Sequence, residues 1–339
     1  MEKIEYYPYL DTLKGLAILL MVMGHVIPWT MDNPLFLQEP LHCLSGNQLA
    51  SSIVYKLIYS FHMPLLFFVS GFLFYKPCEL HNSNWLYRCC KKRTYRIFVP
   101  YLVSGSLLWV CRGQWGYWFL QCLFFLNVIC ALTFWISHKM KNNLLCEVLV
   151  YLFVYICLLF LSRHCVNLED ETNGIVVIGR LYKFYPPFLF GIVMRKYNRL
   201  GCILSNKYFV LFCLLLYCFI FINTQFTKYP FWGLLSTILL PLSMINFLYY
   251  LFKNNIKMGG AKIDYIGKNS MEIYILHVFF VMIFKEVGYY ILSIDTIITN
   301  VVFQLVYSFI ISVIAIVLSI ITAEFLKGSE LLKKYLFGL

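Results

Sequence analysis

The chain has 339 residues, of which 61% are hydrophobic and only 13% charged. Soluble domains carry about 25% charged residues, so this composition excludes a water-soluble globular protein and points to many membrane-spanning helices. The net charge of +12 would suit an acidic partner or nucleic acid, but its placement along the chain speaks for membrane topology instead.

Apolar windows near the length that crosses a bilayer, about 20 residues, fall at about 10–29, 51–76, 95–112, 115–137, 144–162, 178–196, 206–225, 230–252, 266–285 and 297–326. They predict an all-α, polytopic membrane protein with about ten transmembrane helices, forming a single membrane domain over 1–339 with no appended soluble domain. Counting Lys and Arg, twenty lie in the even loops and termini, Lys3, Lys76, Lys141 and Lys257 among them, and four (Arg112, Arg163, Lys228 and Lys285) in the odd loops. By the positive-inside rule both termini are expected in the cytoplasm, and nucleic acid is not an expected partner. Glu2 and Glu5 stand where a signal peptide would be basic, and no small-residue cleavage site follows, so the first helix is expected to be retained. Thirteen cysteines without a C-x-x-C pair suit buried thiols better than a disulfide framework, although Cys43 and Cys165 fall on expected outer loops where they could bridge.

The first helix carries Asp11, Lys14 and His25 in an otherwise lipid-compatible stretch, which is costly unless the groups are used. At about 100° per residue, Lys14 and His25 return to within roughly 20° of one face, with Asp11 about 60° away. The rise of about 1.5 Å per residue separates His25 from Lys14 by some 16 Å and from Asp11 by some 21 Å. The three cannot meet at one point. The stripe instead suits an elongated ligand, charged at the Lys14 end and reacting at the His25 end. Lys14 alone would also be explained by snorkelling to the interface, and Asp11 by pairing with it at i, i+3.

In the second window Pro64 removes a backbone donor and Gly71 permits close approach, so a kink is expected there. A similar run, Tyr185-Pro-Pro-Phe-Leu-Phe-Gly191, lies in the sixth. Paired broken helices are also a mark of transporters with internal repeats.

His25, His62 and His277 lie at intramembrane depth, and each requires a partner there. They serve either as polar links between helices or as chemistry, for which an imidazole with an unperturbed pKa of about 6.5 is suited as general base or transient acyl carrier. No H-E-x-x-H or comparable spacing accompanies them, so no metal is expected. Arg93 and Arg96 stand about one turn apart at the start of the third helix; they satisfy the positive-inside rule and could equally clamp a phosphate. Arg180 and Lys183, one turn apart among Tyr182 and Tyr185, could line the approach of an acceptor. Glu272 is a further charge five residues before His277.

Taken in order, Tyr9-Leu-Asp-x-x-Lys-Gly…Gly-His25, Phe61-His-Met-Pro-Leu…Ser70-Gly-Phe72, Arg93-x-x-Arg96…Val-Pro-Tyr101, Trp118-Phe-Leu, Pro187-Phe-Leu-Phe-Gly191 and Ile266-Gly-Lys-Asn-Ser…Tyr-x-x-His277 resemble the integral-membrane acyltransferase family three, the O-acyltransferases of bacterial surface polysaccharides. Lys14 stands where many members carry Arg, and in this the chain resembles the branch that includes fucose O-acetylases. The resemblance implies a multi-pass protein of the bacterial inner membrane that moves an acyl group from acetyl-CoA, or another acyl-CoA, to a hydroxyl of a glycan or lipid-linked glycan. It implies His25 as the catalytic group, with Asp11 taken beside it, and Lys14, Arg93 and Arg96 on the donor. His62, Ser70, Arg180, Lys183, Glu272 and His277 are the acceptor-side candidates. Succinyl transfer is a variant within the family. A flippase or exporter of lipid-linked glycan, or a membrane sensor, would also place charges in the membrane.

Overall fold

The computed structural model describes residues 6–32, 34–75, 84–113, 115–139, 144–165, 176–228, 232–254 and 260–339. Glu2, Glu5, Lys3, Lys76, Lys141, Lys257 and the side chain of Cys165 lie outside that set; Cys43 carries a free thiol.

Among the described residues the secondary structure is helical throughout. In chain order the helices are α1 (Pro8–Thr30), α2 (Gly46–Tyr59), α3 (His62–Phe74), α4 (Trp85–Arg93), α5 (Val99–Arg112), α6 (Trp118–Lys139), α7 (Leu144–Cys165) and α8 (Val176–Lys196). They continue as α9 (Asn198–Leu204), α10 (Lys207–Gln225), α11 (Gly233–Asn254), α12 (Gly260–Lys268), α13 (Ser270–Phe280), α14 (Lys285–Ser293), α15 (Ile297–Leu326) and α16 (Glu330–Phe337). Seven described helical segments are long and apolar enough to cross a bilayer, α2 and α3 together counting as one, or eight if the bent pair α13 and α14 counts as another. The chain is therefore an all-α polytopic membrane protein.

Each of the ten expected windows is helical, but three are built differently from the expectation of one straight span. The 266–285 window divides, because α13 ends at Phe280 and α14 leaves it at 89°. The 95–112 window is α5, only 14 residues long, preceded by a turn of π-helix. In the second window the break comes at Ser60 and Phe61, before Pro64 rather than at it. Pro64 thus falls in the first turn of α3, where a missing N–H leaves no helical bond unmade.

The described residues group into two compact units, Met1–Val69 with Tyr197–Phe325, and Ser70–Lys196 with Leu326–Leu339. In the first unit α1 is the central element. Its sequence places Gly15 against the carbonyl of Ile263, and Gly267 of α12 against the carbonyl of Asp11, so the two backbones approach more closely than any side chain would allow. Close approach through glycine suits a membrane, where burying apolar surface gives little net drive and packing decides association. On another side Met23 and Ile27 of α1 interlock with Val54 and Ile58 of α2. Tyr9 meets Tyr249 of α11 edge-on, with ring centroids 5.6 Å apart. Helix α15 buries a polar stripe, Asn300, Gln304, Ser308, Ser312 and Ser319, and exposes Ile298, Val302 and Val306. Within that stripe Gln304 Nε2 donates to Asn300 Oδ1 at 2.6 Å, and Asn300 Nδ2 donates to the Ile291 carbonyl at 2.7 Å. Polar side chains turn inward and apolar ones face out, the arrangement lipid favours.

The second unit gathers the end of α3 with α4 to α8 and α16. Gly71 sits against the carbonyl of Phe188, and Arg195 of α8 donates from Nη1 to the Phe72 carbonyl at 3.1 Å.

A Cβ at Gly267 would fall on the Asp11 carbonyl, whereas one at Gly233 would meet nothing within 4 Å. Overpacking of this kind costs about 1–3 kcal/mol. Gly267→Ala is expected to lower the thermal midpoint in detergent while Gly233→Ala matches wild type; equal midpoints for the two would refute the close approach.

Candidate active site

Helix α1 places His25 by its neighbours. Gly24 gives Tyr59 and Ile58 of α2 room to approach, since a Cβ there would stand 3.0 Å and 3.2 Å from them. His25 itself is half-buried, and Trp29, one turn on, stacks over it with centroids 5.1 Å apart and planes 21° apart.

His277, 1% exposed on α13, comes to His25 from the far end of the sequence; His25 Nδ1 and His277 Nε2 are 3.2 Å apart. The other nitrogen of His277, Nδ1, lies 3.0 Å from the Ile273 carbonyl and 2.8 Å from the Tyr274 carbonyl. Carbonyl oxygens only accept, so Nδ1 must carry the hydrogen. In a neutral imidazole the Nε2 of His277 then has a lone pair and accepts from His25 Nδ1–H. By the same logic the Nε2 of His25 is left with a free lone pair. These tautomers are assigned from the hydrogen-bond network. The result is a chain in which backbone carbonyls orient one imidazole, and that imidazole orients a second whose Nε2 keeps its lone pair.

His62 belongs to the same unit. Its Nδ1 donates to the Ile58 carbonyl at 2.8 Å, it is 2% exposed, and Tyr59 meets its ring edge-on at 4.9 Å.

The opposite end of α1 holds an ionic cluster. Lys14 pairs with Asp11 at 2.7 Å, Tyr6 OH donates to the second oxygen of Asp11 at 2.8 Å, and Thr12 donates to Asp264 of α12 at 2.5 Å. The Asp11 carboxylate that takes this hydrogen bond holds the Tyr6 phenol above its ordinary pKa. Asp11 is 7% exposed and Lys14 half-buried. The structure thus joins Asp11 to Lys14 rather than to His25, on one unbroken helix that carries Lys14 and His25 about 16 Å apart. Glu272 is buried in the first turn of α13 and, five residues before His277, falls about 140° around the helix from it.

Arg93, Arg96, Arg180 and Lys183 belong to the second unit. A π-helical turn over Thr94–Phe98 follows Arg93, so three residues no longer complete most of a turn and the two arginines diverge. Arg93 is half-buried over the ring of Phe74 at 5.5 Å, and Arg96 is exposed. On α8 both Arg180 and Lys183 are exposed, Arg180 lying over Trp118 at 5.6 Å and Lys183 over Tyr182 at 5.8 Å. Ser70 is half-buried on α3.

Two features escaped the sequence reading. Trp29 continues the His25 stripe by one turn and was hidden among ordinary aromatics. Glu147, 2% exposed on α7, pairs with Lys196 of α8 at 2.5 Å and accepts a hydrogen bond from Tyr151. A lone carboxylate in the apolar 144–165 run was the available signal. Among the described residues no group of three or more His, Cys, Asp or Glu side chains is disposed to hold a metal ion.

A multi-pass membrane protein with a hydrogen-bonded histidine pair within its helices, and a Lys14–Asp11 ion pair at the other end of one of them, has the makings of a membrane group-transfer enzyme. The chain belongs to acyltransferase family three: the family model described as an acyltransferase domain matches residues 7–324, and the protein is a membrane acyltransferase. Among curated proteins and solved structures none matches the chain significantly.

Breaking a buried ion pair on one side strands the other charge and costs about 3–5 kcal/mol, whereas replacing both members is often nearly neutral. Glu147→Leu and Lys196→Met alone are therefore expected to lower the thermal midpoint sharply, and the double variant to recover most of it. A double variant as unstable as the sum of the singles would contradict the pair.

Proposed function

We propose that the protein is an O-acyltransferase of a bacterial inner membrane that moves an acetyl group from cytoplasmic acetyl-CoA to a hydroxyl of a surface or lipid-linked glycan. The observation that carries this reading is the relay ending in the free Nε2 of His25. An imidazole whose other nitrogen is already engaged as a donor can act at Nε2 as a base toward an approaching hydroxyl.

In the proposed reaction His25 Nε2 takes the proton of the acceptor hydroxyl while the sugar oxygen bonds to the thioester carbonyl carbon. The carbon–sulfur bond breaks, CoA leaves as the thiolate, and the imidazolium returns its proton to that sulfur. His277 accepts from Nδ1–H throughout and so favours the imidazolium that forms, the part a hydrogen-bonded orienting group plays beside a catalytic histidine.

Lys14 supplies the charge for the donor end of the track, and Asp11 is assigned to holding Lys14 rather than to the chemistry. Arg93 and Arg96 are assigned to donor binding on the strength of their match to the family's Arg-x-x-Arg pattern. Arg180 and Lys183, with Trp118 beside them, are assigned to the acceptor, together with His62, Ser70 and Glu272. Acetyl is the preferred group because acetyl-CoA is the usual donor that the family resemblance implies.

Membranes carrying the native glycan, incubated with labelled acetyl-CoA, test the reading. His25→Ala is expected to lower label transfer by at least about 10²-fold while the glycan is still displayed. Transfer that survives the substitution removes His25 from the chemistry, and lost display with intact acetylation points to a carrier.

A further inference from the structure

We propose that the C-terminal segment, residues 326–339, is a positioning element for the donor site: docked α16 and Gly338 hold the backbone of Arg96 in the wide turn that sets its guanidinium. This rests on the donor-site reading of Arg93 and Arg96.

The local sequence makes this turn unstable by itself. In an unbroken α-helix the N–H of residue 100 would bond to the carbonyl of Arg96, but Pro100 has no N–H to give. The chain responds with a single π-turn over Thr94–Phe98, a rare form found mostly as isolated bulges at functional sites. Arg96 lies inside it.

The far end of the chain packs against that turn. Helix α16 buries Leu336 and Phe337, and it ends on Gly338 in the left-handed conformation, φ +68°. The Gly338 backbone comes so close that a Cβ would stand 2.6 Å from the Arg96 carbonyl oxygen and 2.8 Å from the Arg96 Cα. These are backbone atoms, so no side chain can swing aside to make room. Glycine alone meets both demands, the positive φ and the absent Cβ. The segment also changes allegiance: α15 up to Phe325 groups with the histidine-bearing unit, while Leu326–Leu339 groups with the arginine-bearing one. The family model reaches only residue 324, so this support lies beyond the part of the chain it matches.

A residue that acts only by placing Arg96 should affect donor capture and leave the chemical step alone. In membranes carrying the native glycan, Gly338→Ala is expected to raise the KM for acetyl-CoA by about tenfold with kcat unchanged. Phe337→Ala, which loosens the docked helix while leaving Gly338 in place, should shift KM in the same direction and serves if Gly338→Ala fails to accumulate. Arg96→Ala is the reference and should raise KM at least as much. Wild-type KM in both tail variants, with KM raised in Arg96→Ala, overturns the positioning role and leaves the donor site standing. A fall in kcat at constant KM in the tail variants also overturns it, as a general structural effect. An unchanged KM in Arg96→Ala overturns the donor-site reading and the proposal together.

Discussion

The two backbone carbonyls of Ile273 and Tyr274 set the orientation of the buried histidine pair. Each can only accept, and in a site screened from water nothing else competes for the Nδ1–H of His277. The hydrogen bond to them therefore sets which nitrogen of His277 faces His25, and so which nitrogen of His25 keeps its lone pair. The bend at the end of α13 follows at once, since the helix ends within one turn of His277. Tautomer and orientation of both imidazoles descend from one short stretch of main chain.

The rest of the first unit serves to keep α1 where this bond can form. Glycines at positions 15, 24 and 267 let neighbouring helices approach α1 at three levels. The Asp11–Lys14 pair and its hydrogen bonds from Tyr6 and the nearby Thr12–Asp264 link tie down the other end. Lys14 is thereby held in a fixed place, at the cost of sharing its charge with a carboxylate. A point charge already neutralised in part attracts an anion less strongly than a free one.

How much of this was legible in the sequence depends on the range of the interaction. The stripe of Asp11, Lys14 and His25 obeys helical periodicity, and α1 is one unbroken helix as the periodicity implies. The Asp11–Lys14 pair follows from i, i+3 spacing. The bond between His25 and His277 joins residues 252 apart, and no local pattern announces it. The bend after Phe280 was hidden because Val281 to Phe284 are as apolar as the helix they interrupt. Pro64 drew attention to a break but misplaced it, because proline is comfortable in a first turn and disruptive only further in. The π-turn between Arg93 and Pro100 had a signal in Pro100, whose missing donor frees the Arg96 carbonyl. Glu147 was lost among the apolar residues of α7 although a buried carboxylate there demands a partner.

The relay is tested most directly by ¹⁵N magnetic resonance of histidine-labelled protein in lipid at neutral pH. The account predicts that His25 is protonated at Nδ1 and bare at Nε2, and that His277→Phe, which removes the acceptor, abolishes that preference. A His25 protonated at Nε2, or one whose tautomer is indifferent to His277→Phe, would contradict it.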